Sequence, residues 1–151
     1  MTSGYDRVVP NQIKHMEMIQ AVITRLAGNS FLVKGWAVTI ATALLGFAVS
    51  RNESRLAWIA LAPVLLFWWL DAYYLYAERL FRGLYEQVRR SDPKVEPFYM
   101  AATSKSFVDE LKSGGVADWA FRDAFWRPAV CVFHLALVAA SVLVAVVIRA
   151  G

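Results

Sequence analysis

The sequence predicts an all-α membrane protein: three transmembrane helices, a long second helix that extends into the cytoplasm, and an amphipathic helix at the N-terminus. Three observations carry this expectation. The 151 residues are 58% hydrophobic with a mean hydropathy of +0.43, too apolar for a water-soluble domain of this size. Windows with at most one or two charges cover residues 31–50, 56–77 and 128–148, and a helix needs roughly 20 residues to cross hydrocarbon. Lys and Arg divide thirteen to three between the two sides those windows define. The positive-inside bias therefore puts the N-terminus and the large loop in the cytoplasm and the C-terminus outside.

The regions expected are a cytoplasmic amphipathic helix over 1–30, a transmembrane hairpin over 31–77 with spans 31–50 and 56–77, a cytoplasmic helical region with a linker over 78–127, and a third span over 128–151. No secretory signal or lipidation site is read at the ends. Asn11, after Pro10, is placed to cap a helix running to about Ala27, on which Ile13, Met16, Ile19, Val22, Ile23 and Leu26 recur at helical spacing. That stripe can pack on a neighbouring helix, lie flat on the bilayer or line a groove. Gly28, Asn29 and Ser30 are expected to break the chain before the first span.

Along the first span small residues fall four apart, as Gly35, Thr39 and Ala43 and again as Thr42, Gly46 and Ser50. Such rows let helix backbones approach closely where packing rather than hydrophobicity drives association. The polar stretch from Arg51 to Arg55 reads as the outer turn of a helical hairpin. Pro63 lies inside the second span; proline removes a backbone donor and kinks a helix, so it is the candidate hinge. Past Asp71 the helix continues with Leu80, Phe81, Leu84, Tyr85 and Val88 as a stripe for the N-terminal helix, and with i,i+4 ion pairs from Glu78 to Arg82 and from Glu86 to Arg90. Ser91, Asp92 and Pro93 are expected to end it. A linker, a short helix over 103–113 closed by Gly114 and Gly115, and an interfacial aromatic helix over 117–127 follow, and Pro128 suits the first turn of span three.

The candidate site is one of depth. Lys34 lies seventeen residues before Arg51 and Asp71 sixteen after Arg55, so both fall about 25 Å from the outer turn of a regular hairpin. His134, seven residues into span three, falls at a similar level. Ionisable groups inside a span are expensive and either pair or line a polar path. Lys34, Asp71 and His134 thus form a candidate intramembrane polar cluster, readable as a gate, as a structural salt bridge, or as snorkelling side chains with one interhelical hydrogen bond.

No catalytic constellation is legible. The two histidines, His15 and His134, have no ligand spacing, and no nucleophile elbow or phosphate loop occurs. Neither an enzyme, a cofactor nor a metal is expected. The lone Cys131 allows no intrachain disulfide, and Asp109 with Glu110 reads as a solvated face. The aromatics Trp68, Trp69, Tyr73, Tyr74 and Tyr76 are explained by interfacial anchoring, and the net charge of +4 by the inner-face bias, with no nucleic acid required.

The runs HMEMIQAVITRLAGNSFLVKGWAVT, FWWLDAYYLYAERLFRGLYEQVR and FWRPAVCVFHLAL resemble a widespread group of small bacterial membrane proteins without assigned activity. In architecture the chain also resembles the transmembrane effectors of antiphage systems. That likeness implies a homo-oligomer in the bilayer that forms a pore or perturbs the membrane under control of a soluble cytoplasmic sensor. The alternative is a non-catalytic anchor or adaptor presenting its cytoplasmic helices to a soluble partner.

Overall fold

The computed structural model describes the backbone of residues 5–90, 95–113 and 121–150, and the side chains of 10–90, 95–109 and 121–150. Six helices, and no strand among the described residues, follow in order: α1 (Tyr5–Arg51), α2 (Ser54–Ile59), α3 (Leu61–Arg89), α4 (Lys105–Ser113), α5 (Phe121–Phe125) and α6 (Pro128–Ala150). Three stretches, Pro10–Arg51, Ser54–Arg89 and Pro128–Ala150, are long and apolar enough to cross a membrane.

Two boundaries differ from the sequence expectation. The helix begins at Tyr5 rather than at Asn11, with Pro10 inside it, and it passes Gly28, Asn29 and Ser30 without a break. Glycine and asparagine lower helix propensity by no more than about 1 kcal/mol each, and the long apolar pattern on either side outweighs that cost. The second span, in contrast, is interrupted. α2 closes at Ala60 and α3 starts at Leu61, one turn ahead of Pro63. A proline ring crowds the carbonyl four residues earlier and offers it no N–H; here that carbonyl belongs to Ile59, the last residue of α2. Past Asp71 the helix is continuous to Arg89. The expected stop at Ser91, Asp92 and Pro93 and the glycine pair after α4 lie outside the described residues, as do the first residues of the expected aromatic helix, of which α5 is the described part.

The turn between α1 and α2 is built by Asn52, whose φ of 51° is left-handed. The Glu53 N–H donates to Ala48 O at 3.0 Å and the Asn52 N–H to Val49 O at 3.2 Å, the paired bonds that close a helix through a left-handed residue.

The chain forms two compact units, Met1–Gly28 with Leu75–Trp119 and Asn29–Tyr74 with Ala120–Gly151. The core of the first gathers Ile19, Leu80, Leu84, Val88, Ala102 and Phe107, with Met16, Ile23, Phe81 and Tyr85 half-buried around them. Val22 and Leu26 are half-buried outside that cluster. Gln12 Nε2 donates to Val88 O at 2.6 Å, and buried His15 donates from Nε2 to Tyr99 O at 2.8 Å. Ser104 starts α4 by accepting the Phe107 N–H at 3.4 Å, a serine N-cap bond to the third helical residue. Phe107 joins Ile19 and Leu84 in the same buried cluster, adding α4 to the two-helix pairing the sequence stripes specify.

In the second unit the buried positions of α1 are Val33, Ala37, Ala41 and Ala48, and those of α6 are Val130, His134, Ser141 and Ala145. Steps of four and seven keep each set on one helical face. α2 packs on α6, and Ala57 of α2, Ala145 of α6 and Ala48 of α1 form one buried cluster flanked by Leu45, Leu56, Val144 and Ile148.

Candidate functional site: a buried Lys–Asp–His cluster

Three ionisable side chains of the second unit are turned inward. Asp71 and His134 are fully buried, and the Lys34 side chain keeps only 23% of its surface exposed. From α1, the Lys34 ammonium lies 2.7 Å from Asp71 Oδ1 in a hydrogen bond and 2.6 Å from Oδ2 in an ion-pair contact. The approach to Oδ2 is out of line for a hydrogen bond, so that oxygen is neutralised by charge without accepting a well-directed proton. Ser30 sits one turn before Lys34. Its hydroxyl donates to Asp71 Oδ1 and accepts from Lys34 Nζ at 3.1 Å. Ser30 and Lys34 are four apart on one helix and so present their polar ends to the same point.

His134 completes the cluster from α6. Its Nδ1 lies 3.0 Å from Val130 O; a carbonyl only accepts, so Nδ1 carries the proton. The same nitrogen is 3.8 Å from Asp71 Oδ2, too far for a hydrogen bond but close enough for electrostatic attraction. Nε2 is buried with no partner. Trp68, three residues before Asp71 on α3, covers the ring: the two planes are 9° apart with centroids 5.9 Å apart. Trp68 in turn stacks on Phe125 at 4.6 Å, meets Trp126 edge-on at 6.0 Å and donates from Nε1 to Phe125 O at 3.3 Å.

Of the residues picked from sequence, Lys34, Asp71 and His134 are thus brought together. Ser30 and Trp68 belong to the same cluster and were missed. The i,i+4 spacing of Ser30 to Lys34 was a usable signal, whereas the stacking of Trp68 on a histidine from another helix had none.

The small-residue rows are not brought in. Gly35, Thr39, Thr42, Ala43, Gly46 and Ser50 are all exposed, and a Cβ added at Gly35 or Gly46 would meet nothing within 4 Å. The Thr39 and Ser50 hydroxyls bond back to Gly35 O and Phe47 O of their own helix. Thr39, Thr42 and Ser50 therefore do not share a face with buried His134. Large apolar side chains also point outward, among them Phe31 at 78% and Phe47 at 61% exposure.

No protein family, curated protein or solved structure matches the chain.

The cluster can do three things chemically: hold a carboxylate ionised in a low-dielectric interior, hold three helix segments at one level, and offer one lone pair, at His134 Nε2, to a proton. Among the described residues there is no group of three metal-ligating side chains.

Proposed function

We propose that this chain is a multi-pass protein of the bacterial inner membrane, N-terminus in the cytoplasm and C-terminus in the periplasm, acting as a non-catalytic anchor or adaptor. Its membrane unit is sealed, and its first unit is what it offers to a soluble cytoplasmic partner. The supporting observation is the inversion of polarity in the second unit. Asp71 and His134 are fully buried, with Lys34 on Asp71, while Phe31, Trp36, Phe47, Leu66 and Val147 face outward. Soluble monomers do not expose apolar surface on that scale, whereas inward ionisable groups and outward hydrocarbon are what a bilayer requires. A conducting path needs polar side chains on one open face, and the hydroxyls of α1 are apart from His134.

One observation favours a second reading, a membrane-perturbing effector of the antiphage kind. The row from Gly35 to Ser50 is exposed, with open space beside Gly35 and Gly46, and a second copy packed there would make a homo-oligomer whose axis carries Thr39 and Thr42. Purified protein in liposomes filled with a self-quenched dye separates the two. The anchor reading expects no dye release from the wild type or from Lys34→Ala and Asp71→Ala, and release by the wild type replaces it with the effector. Gly35→Leu and Gly46→Leu address assembly, since each fits the isolated chain: loss of chemically crosslinked oligomers with the helical signal unchanged supports the homo-oligomer, and unaltered crosslinking removes that row from it.

A further inference from the structure

The outer turn of the hairpin carries an open groove of about 670 Å³, walled by Leu44, Phe47, Leu56 and Ile59 and rimmed by Arg51, Glu53 and Arg55. All seven residues belong to the second unit. Arg51 closes α1 and Arg55 is the second residue of α2, so two guanidinium groups flank one tight turn. Both are exposed, and neither lies within ion-pairing distance of a carboxylate among the described residues. Arg149 reaches the same end of the unit, because its neighbour Ile148 packs against the Ala48 and Ala57 cluster beneath the turn. Phe47 and Ile59, in contrast, are 61% and 55% exposed: apolar surface continuous with cationic surface, at the point where the apolar helices end.

The geometry points to a binding site for an anionic phospholipid, the phosphate held by Arg51 and Arg55 and one acyl chain laid on Phe47, Leu44 and Ile59. Three arginines against the single carboxylate of Glu53 leave an excess positive charge that a zwitterionic headgroup does not neutralise. Planar guanidinium groups match phosphate oxygens in pairs, and the groove lies where a headgroup passes into its chains. A soluble phosphate compound uses the arginines but leaves the apolar wall wet, so the occupant is a lipid. The inference rests on membrane insertion, which is tested separately by flotation of the protein with phosphatidylcholine vesicles. Failure to float overturns that reading before any lipid preference is measured.

For protein that floats, the test is native mass spectrometry of the full chain released from nanodiscs of mixed phosphatidylcholine and phosphatidylglycerol. The wild type is expected to retain phosphatidylglycerol over phosphatidylcholine. Arg51→Gln with Arg55→Gln is expected to reduce that preference about thirtyfold, from two charges at about 1 kcal/mol each. Arg122→Gln with Arg127→Gln removes the same charge at other exposed positions and is expected to leave the preference unchanged. Glu53→Gln is expected to raise it. Equal loss in both double variants, no preference in the wild type, or displacement of the lipid by 10 mM inorganic phosphate each overturns the proposal.

Discussion

Removing Lys34 is expected to cost far more stability than removing Asp71, although the two form one ion pair. With Lys34→Ala the fully buried carboxylate keeps only the Ser30 hydroxyl and a His134 nitrogen 3.8 Å away. Leaving one charge of a buried pair uncompensated costs about 3 to 5 kcal/mol. With Asp71→Ala the remaining charge is on a side chain already 23% exposed, on a flexible stem that can carry its ammonium outward. The loss is then that of a charged hydrogen bond, about 1.5 to 3 kcal/mol. Lys34→Met combined with Asp71→Leu should return to within about 2 kcal/mol of the wild type, because well-packed apolar replacements of buried ion pairs are neutral or stabilising. Ser30 then bonds back to its own helix, as Thr39 does. Reversible unfolding in mixed micelles, followed by Trp fluorescence for the wild type and these three variants, gives the comparison. Equal losses for the two single variants, or a double variant worse than either, would refute the assignment of a low-dielectric site.

Three further outcomes follow from other residues. Leu84→Ala, at a fully buried position of the first core, should lose about 2 to 5 kcal/mol, read as increased proteolysis of the helices of the first unit. Trp68→Phe keeps the ring stack and gives up the 3.3 Å bond to Phe125 O, costing about 1 kcal/mol, whereas Trp68→Ala opens the roof over His134 and should cost about 3 to 5 kcal/mol; the same unfolding assay separates them. Hydrogen bonds from Arg89 and then Arg90 lower the Glu86 carboxyl from 4.5 to about 2. A folded value below the unfolded one means that any stabilisation from Glu86 is present above about pH 4.5 and fades as pH falls toward 2. Carbon-13 titration of the side chain should show the low midpoint, and Arg89→Gln with Arg90→Gln should return it toward the ordinary value.

What the sequence discloses here is set by the range of the physical signal. Apolar windows locate the three long helices, because length and hydrophobicity are local quantities. Counting residues from the outer turn places Lys34 level with Asp71, because helical rise is constant, and the heptad-like stripes name Ile19, Leu80 and Leu84. Helix continuity through Gly28 was not legible: local breakers lose to the pattern on both sides, and propensity alone does not reveal that balance. Nor could the small-residue row be assigned, since spacing defines a face without saying whether it turns to the same chain or away. The alanine row Ala37, Ala41 and Ala48 takes the intrachain role instead. Tyr99 joins the first core from a linker whose composition gives no periodicity, and Phe107 from the short helix expected over 103–113, whose packing partner spacing alone does not name.

The Ser30, Lys34 and Asp71 contact also acts as a ruler. Smooth apolar helices slide past one another with little change in energy, because one methyl-lined groove resembles the next. A slip of α3 by one residue moves its side chains by 1.5 Å along the axis and turns them by about 100°, which would swing Asp71 off the ammonium and out among residues such as Trp69 and Tyr73. That misalignment leaves a bare carboxylate among apolar side chains, so each shifted alignment is excluded individually. The doubly apolar variant should therefore keep its stability yet give up its single register, a difference visible as several crosslinked spacings between engineered cysteines where the wild type gives one.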